Sequence, residues 1–178
     1  MDSIAFIRQM MTAQHGFLEG TMDGVTAEHA HWAGGKKANP IGATYAHLVV
    51  SEDSIINGML RGQAPLAMST WAGKTGLSEP MPMPGGDWEH AYGDWARRVQ
   101  VDLPALHAYA QAVYAASDDY LATLTPESLD QPIDLAAMGM GTMDLGWVLG
   151  QFVVGHIANI TGEISALKGV QGQKGYPF

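Results

Sequence analysis

The sequence contains no cysteine among its 178 residues. This absence excludes disulfide scaffolds, zinc sites built on thiolates and enzymes that use a cysteine nucleophile. The chemistry of this protein must therefore come from histidine, carboxylate, amide and hydroxyl side chains.

Basic residues are also few, with 9 lysines and arginines against 18 aspartates and glutamates. The formal net charge of −9 repels phosphate backbones, and the only basic doublets are Lys36-Lys37 and Arg97-Arg98. We therefore predict that the protein has no nucleic-acid partner.

Long apolar runs are missing as well. The N-terminus lacks the basic start and the apolar run of a signal peptide. No stretch approaches the ~18 apolar residues of a membrane span. We expect a cytoplasmic protein that has no membrane partner.

Apolar residues make up 47% of the chain, which is enough for one globular domain over residues 1–178 with a hydrophobic core. Strand signals are nearly absent, and the helical spacing of apolar residues predicts four helices. These helices span about residues 3–20, 40–60, 87–124 and 143–168. The pattern is typical of an all-α protein, a four-helix bundle with long connecting loops.

The segments between the predicted helices also indicate how the helices are arranged. Residues 61–86 are rich in proline and glycine and show no sustained periodicity, which predicts a long loop of the kind that often forms a lid or a site wall. A loop of this length lets the second and third helices run parallel.

Asp102-Leu103-Pro104 breaks the third helix into a short and a long part. Ser3 is the expected N-cap of the first helix, and His29 and His31 are expected to lie exposed in a loop.

Two of the seven histidines lie in the middle of predicted helices. His47 has small or hydroxylated neighbours in the second helix, and polar residues recur beside His156 in the fourth. Facing helices of a bundle often hold a metal through such side chains, and neutral imidazole is the commonest ligand. The alternative is that each is a core histidine with a backbone or amide partner. His107 in the third helix is a reserve ligand.

Three stretches of the sequence carry a resemblance to a known family. They are YAHLVVSED at 45–53, GHIANITGEI at 155–164 and LKGVQG at 167–172. They resemble the DinB/YfiT-like metalloenzymes. The resemblance implies a four-helix bundle in up-down-down-up order that forms a homodimer. It also implies a divalent metal such as Zn, Ni or Fe, bound by one histidine of the second helix and by an HxxxH pair of the fourth.

On this resemblance, His47 and His156 take two of the three ligand positions, and the last position falls on Ile160. Isoleucine cannot coordinate a metal, whereas a catalytic site needs three protein ligands and an open position. The resemblance therefore implies that metal binding is weak or absent here, unless His107 or Glu52 serves as the third ligand.

Members of the family include metal-dependent transferases that use a low-molecular-weight thiol. The resemblance thus implies a metal-dependent thiol transferase with a degenerate histidine site and a small-molecule substrate. The alternative is a non-catalytic bundle that binds a small molecule or only dimerises as a stress-associated protein, so the residues leave open whether the chain is an enzyme. Trp88 and Trp95 add apolar surface beyond what one thin bundle buries, which also favours a homodimer.

Overall fold

The computed structural model describes residues 1–35, 38–83, 85 and 87–178. The Lys36-Lys37 doublet and two residues of the long loop, Pro84 and Gly86, lie outside the described residues. The described chain is mostly helical and has one small sheet of two strands. Within it, no helix combines the length and the apolar character needed to cross a membrane.

The first helix, α1, spans Ser3–Met22. Asp2, and not the predicted Ser3, caps this helix, because the Asp2 carboxylate accepts the N–H of Ala5 at 2.8 Å. The side chains that α1 buries are those of Ile4, Met11, Leu18 and Thr21.

A short helix, α2 (Ala27–His31), lies where a loop was predicted. Thr26 and His29 form a capping box that starts this helix, so the expectation of exposed loop histidines is wrong. His29 and His31 are both partly buried. The ring of His31 accepts the N–H of Val101 at 2.9 Å, which links α2 to a distant part of the chain.

The predicted second helix is confirmed as α3 (Ile41–Asp53), which continues as a π-helical segment over Ser54–Leu60. Pro40 stands immediately before the first turn, where its missing N–H costs no helical hydrogen bond. Ten of the 13 residues of α3 are buried. A helix that is buried on nearly every side is surrounded by other elements, and α3 is therefore the central helix of the molecule.

The long connection after α3 contains a 3-10 turn at Leu66–Met68 within an otherwise irregular path. Asp53, which is fully buried at the end of α3, holds this turn in place. Its carboxylate accepts the N–H groups of Leu66 and Ala67, each at 2.9 Å. The start of the loop is thus fixed to the central helix.

The predicted third helix is two separate helices, α4 (Trp88–Arg98) and α5 (Leu103–Leu121). Residues 99–102 between them are not helical. The carboxylate of Asp102 accepts the N–H of Ala105 at 3.2 Å, and Pro104 occupies the first turn of α5. The prediction that a new helical part begins at Asp102-Leu103-Pro104 is therefore confirmed.

The all-α prediction missed a short antiparallel hairpin made of β1 (Pro132–Asp134) and β2 (Thr142–Asp144), in which Ile133 pairs with Met143. Strands of three residues are too short to show an alternating apolar pattern, and no such signal was available in the sequence.

The predicted fourth helix is confirmed as a continuous helical run that changes its winding. It begins with α6 (Leu145–Val148), passes through a π-helical segment (Leu149–Gly155) and ends with α7 (His156–Val170). The side chain of Asp144 caps its first turn by accepting the N–H of Trp147 at 2.6 Å.

Each of the four longest helices packs against two of the others. Helix α1 contacts α5 and α7, and α3 contacts the same two helices, while α4 packs against α3. Lys168 of α7 is buried, and its ammonium group donates to the carbonyl oxygens of Thr21 and Asp23, both at 2.7 Å. This side chain satisfies free carbonyls at the end of α1 and ties the last helix to the first.

Candidate functional site

The structure brings together the two histidines that the sequence analysis proposed as ligands. His47 lies in the middle of α3, and His156 is the first residue of α7. Their ring centroids are 5.1 Å apart and the ring planes are inclined by 77°. Both side chains are partly buried, so the two imidazoles form a pair inside the protein.

Two aromatic residues of α4 complete the surroundings of His47. The ring of Tyr92 lies 5.0 Å from the His47 ring, and that of Trp88 lies 5.9 Å from it, both centroid to centroid. Trp88 and Tyr92 stack on each other at 5.0 Å with an interplanar angle of 12°. Helix α4 therefore covers His47 with an aromatic surface.

A cavity of about 390 Å³ opens at the histidine pair. Its size lies within the range of about 300 to 1,000 Å³ that is typical of ligand pockets. The other residues that line it are Ser51, Ile55, Trp88, Met138, Gln151, Phe152 and Asn159. The Ser51 hydroxyl lies 3.5 Å from Nδ1 of His47.

Both π-helical segments contribute to the wall of this cavity. Ile55 comes from the segment that follows α3, and Gln151 and Phe152 come from the segment that precedes α7. Segments of π-helix occur frequently at functional sites. His156 directly follows such a segment and points to the cavity as one of its lining residues.

Burial keeps the histidine pair uncharged near neutral pH. Desolvation lowers the pKa of His47 to about 4, and the proximity of His156 lowers it as well. Desolvation also lowers the pKa of His156, while the charge of Glu52 acts on it in the opposite direction. A neutral imidazole has a free lone pair, so each ring can accept a hydrogen bond or coordinate a metal.

The comparisons with known proteins agree with this architecture. The family model of the DinB superfamily matches residues 11–164. The chain belongs to the DinB superfamily. The matched region includes α3, α4, α5 and most of α7, and hence both histidines of the pair.

This DinB superfamily member also resembles a crystal structure described as the conserved protein of a locus from Enterococcus faecalis. The match has a TM-score of 0.80 and 21% sequence identity, and it covers 97% of this chain and 99% of that chain. At this level of identity the likeness shows the fold alone. No curated protein matches the sequence.

The residues at the pair do not fit a three-ligand metal site. Position 160 of this DinB superfamily chain is an isoleucine that is 8% exposed and packs in the hydrophobic core. Among the described residues, no group of three or more histidine, aspartate or glutamate side chains is arranged to hold a metal ion. Two neutral imidazoles remain as donors, and we therefore derive no catalytic step through a metal.

The structure places both reserve ligands away from the pair. Glu52 lies about 140° around α3 from His47, at about 100° per residue, and its carboxylate contacts His15 Nε2 at 2.9 Å and Ser117 Oγ at 2.6 Å. His107 contacts Glu19 Oε2 at 2.8 Å. Both residues belong to hydrogen-bond networks that join α1 to α3 and α5.

A second cavity, of about 920 Å³, lies on the side of Glu19 and His107. Tyr45, which also lines it, is two residues before His47 and so projects from the opposite side of α3. The cavity at the histidine pair is smaller, but it is where the uncharged imidazoles meet, and we take it as the candidate functional site.

Sequence reasoning used Trp88 and Trp95 as surplus apolar surface for a dimer, but Trp95 is buried in the hydrophobic core and Trp88 lines the cavity. It did not place Tyr92 in the site beside Trp88. The spacing of four residues between them indicates one face of a helix, which is a signal for a paired aromatic surface. Met138 and Phe152 were also missed as lining residues. Met138 lies in the connection between β1 and β2, whose path has no periodic signal.

We expect the free energy of unfolding to decrease as the pH falls from about 6.5 to about 4 in metal-free protein. Unfolded His47 titrates near 6.5 and folded His47 near 4, so in this window the unfolded state binds more protons and gains stability. The depressed pKa of His156 contributes in the same direction. Between pH 7 and pH 5, His47 accounts for a loss of roughly 2 kcal/mol.

Denaturant titrations in the presence of EDTA measure this loss. His47→Gln removes the titrating group, and the variant should lose less stability than the wild type over the same pH interval. His90→Gln, which changes an exposed histidine of α4, is the matched control and should behave as the wild type. Equal losses in the wild type and in His47→Gln would contradict the depressed pKa.

Proposed function

We propose that this DinB superfamily member binds a small molecule in the cavity at the histidine pair, and that His47 and His156 supply polar contacts to it. The observation that supports this proposal is that the two imidazoles meet at the cavity wall without a carboxylate partner among the described residues. Buried polar groups need hydrogen-bond partners, and a ligand in the cavity provides them.

Two other histidines of the chain, one partly buried and one exposed, have carboxylate partners. His15 is paired with Glu52 at 2.9 Å, and His107 is paired with Glu19 at 2.8 Å. These two imidazoles have their hydrogen bonds satisfied by the fold. The contrast supports a ligand-binding role for the pair that has no such acceptor.

We expect His47→Ala to weaken ligand binding by about tenfold or more, because the loss of one buried hydrogen bond is worth about 1.5 kcal/mol. Ligands found by screening a library of small fragments at pH 7 provide the probes. Nuclear magnetic resonance of the imidazole protons identifies those that bind at the pair, and calorimetry measures their affinities.

His107→Ala is the matched control for this experiment, since His107 lies on the other side of α3 and should leave the affinities unchanged. Fragments that shift the imidazole signals and bind His47→Ala as tightly as the wild type would contradict the proposed contacts. A screen in which no fragment shifts these signals would contradict the binding function itself.

The metal-dependent thiol transferase that the resemblance implies is the second candidate function. The close approach of His47 and His156 favours it, since two imidazoles at this distance can share one divalent ion, and a bound metal would lower the pKa of a low-molecular-weight thiol. The absence of a third ligand at position 160 is the reason to place it second. Thiol conjugation to a chloronitrobenzene that is abolished by a chelator would support it.

We expect purified protein to contain less than one equivalent of Zn, Ni or Fe, because two imidazoles bind a divalent ion weakly. Ile160→His completes the HxxxH pattern and adds a third imidazole, which should raise the affinity for Zn by at least about tenfold. Loss of even an outer-shell partner of a metal site typically costs 10- to 100-fold in metal affinity, and a direct ligand contributes no less. Elemental analysis and zinc titration measure both quantities.

Val170→His is the control, since it adds a histidine to the exposed end of the same helix. Circular dichroism checks that each variant is folded. One tightly bound equivalent in the wild type would show that a further ligand exists. A folded Ile160→His variant with unchanged zinc affinity would contradict the alignment of this position with the metal ligand.

We also propose a homodimer that forms through the outer face of α1. Phe6 and Phe17 are 52% and 41% exposed on this helix, and Met10 and Ala13 lie between them at the spacing of one helical face. Exposed apolar patches of this kind often mark interfaces between proteins. The up-down-down-up order of the long helices and the cytoplasmic location stay predictions.

We expect light scattering at micromolar concentration to give about twice the mass of one chain. Phe6→Glu should shift the protein toward the monomer, because a carboxylate in an apolar interface loses its hydration. Met68→Glu, at an exposed position of the long loop, is the control and should leave the mass unchanged. A wild-type monomer would contradict the proposal.

A further inference from the structure

Two aromatic rings belong to the cavity wall, and each contacts another ring that supports it. Trp88 stacks on Tyr92 at 5.0 Å. Phe152 contacts Trp147 edge to face at 5.3 Å, with an interplanar angle of 69°. Trp88 and Phe152 line the cavity, whereas Tyr92 and Trp147 lie outside the set of lining residues. The supported rings are held in place before a ligand arrives.

The remaining lining of the cavity carries no formal charge. Ile55 and Met138 are apolar, and Ser51, Gln151 and Asn159 are polar but neutral. Among the described residues that line the cavity, none is an aspartate, glutamate, lysine or arginine. A charged ligand would find no counter-ion among these lining residues, so the cavity favours a neutral one.

We infer that the ligand of this cavity is a neutral, planar aromatic compound that packs its ring against Trp88 and Phe152 and presents one hydrogen-bonding group to His47 or His156. This inference rests on the proposed binding function and adds the chemical class of the ligand. Aromatic pairs gain an attraction beyond that of buried area alone, and the rigid walls reduce the entropy lost on binding.

The arrangement also sets where the polar group of such a ligand must lie. An imidazole can accept through one ring nitrogen and donate through the other, so the pair can serve a hydroxyl, an amine or a carbonyl group. The ring planes of His47 and His156 are inclined by 77°, and their nitrogen atoms therefore point in different directions. A single polar substituent at one edge of the aromatic ring suits this geometry.

Three probes of similar size separate the contributions to binding. 1-Naphthol is neutral and aromatic, decahydro-1-naphthol is neutral and saturated, and 1-naphthoate is aromatic and charged. Calorimetry at pH 7 measures the affinities, and the imidazole proton signals of His47 and His156 report whether each probe occupies the cavity. We expect 1-naphthol to bind at least about tenfold more tightly than either of the other two.

Variants of Trp88 test the aromatic wall directly. Trp88→Leu keeps an apolar side chain but removes the ring, and it should lower the affinity for 1-naphthol at least about fivefold while changing the affinity for decahydro-1-naphthol less than twofold. Trp88→Phe retains a ring and should stay within about threefold of the wild type. Trp32→Leu, which changes a partly exposed tryptophan outside the cavity lining, is the matched control.

Circular dichroism verifies that each variant is folded. If Trp88→Leu does not fold, the comparison of the three probes and the Trp88→Phe variant still test the proposed ligand class. Binding of decahydro-1-naphthol or 1-naphthoate as tightly as 1-naphthol, with shifts of the imidazole signals, would overturn the ligand class and leave the binding function intact. Absence of these shifts with every probe and with every screened fragment would overturn both.

Discussion

The buried carboxylate of Asp53 fixes three parts of the chain relative to one another. It accepts hydrogen bonds from Asn57 at 2.8 Å, from the hydroxyl of Tyr109 at 2.6 Å and from the N–H groups of Leu66 and Ala67 at 2.9 Å. A carboxylate that is out of water is stable only when such partners surround it. The end of α3, the middle of α5 and the start of the long loop must therefore come together in one arrangement.

Two further carboxylates, those of Glu52 and Glu19, attach α1 to this centre, the first by contacting His15 and the second by contacting His107. The other donors to these carboxylates are Ser117, Tyr45 and Tyr114. One side of α3 thus has its buried polar groups paired within the fold. His47 lies on the other side, where an imidazole of α7 and two aromatic rings surround it, and it has no carboxylate partner among the described residues.

The main helices could be predicted from the sequence, because long segments with apolar residues at helical spacing leave clear periodic signals, and the resemblance to the family implied the histidine pair. The motif around His47 and His156 indicated that the two residues would meet, and they do. The wall of the cavity could not be predicted. The position of Trp88 depends on how the loop 61–86 delivers α4 to α3, and that of Met138 depends on a hairpin whose strands have three residues each. These placements are set by tertiary contacts and not by local preference.

The two π-helical segments let a helix accommodate an extra residue without turning the part that follows. A π-turn contains one residue more than the α-helical turn it replaces, but both complete one turn. The seven residues of Leu149–Gly155 therefore rotate the chain about as far as roughly six residues of α-helix would, and α6 and α7 keep the relative orientation of one continuous helix. The capped helix ends and the buried carboxylates lie outside this segment. Within this fold, the gain or loss of a single residue in such a segment can therefore change the side chains of the cavity wall during evolution, while His156 keeps its place against His47 and the residues that hold the helices together stay the same.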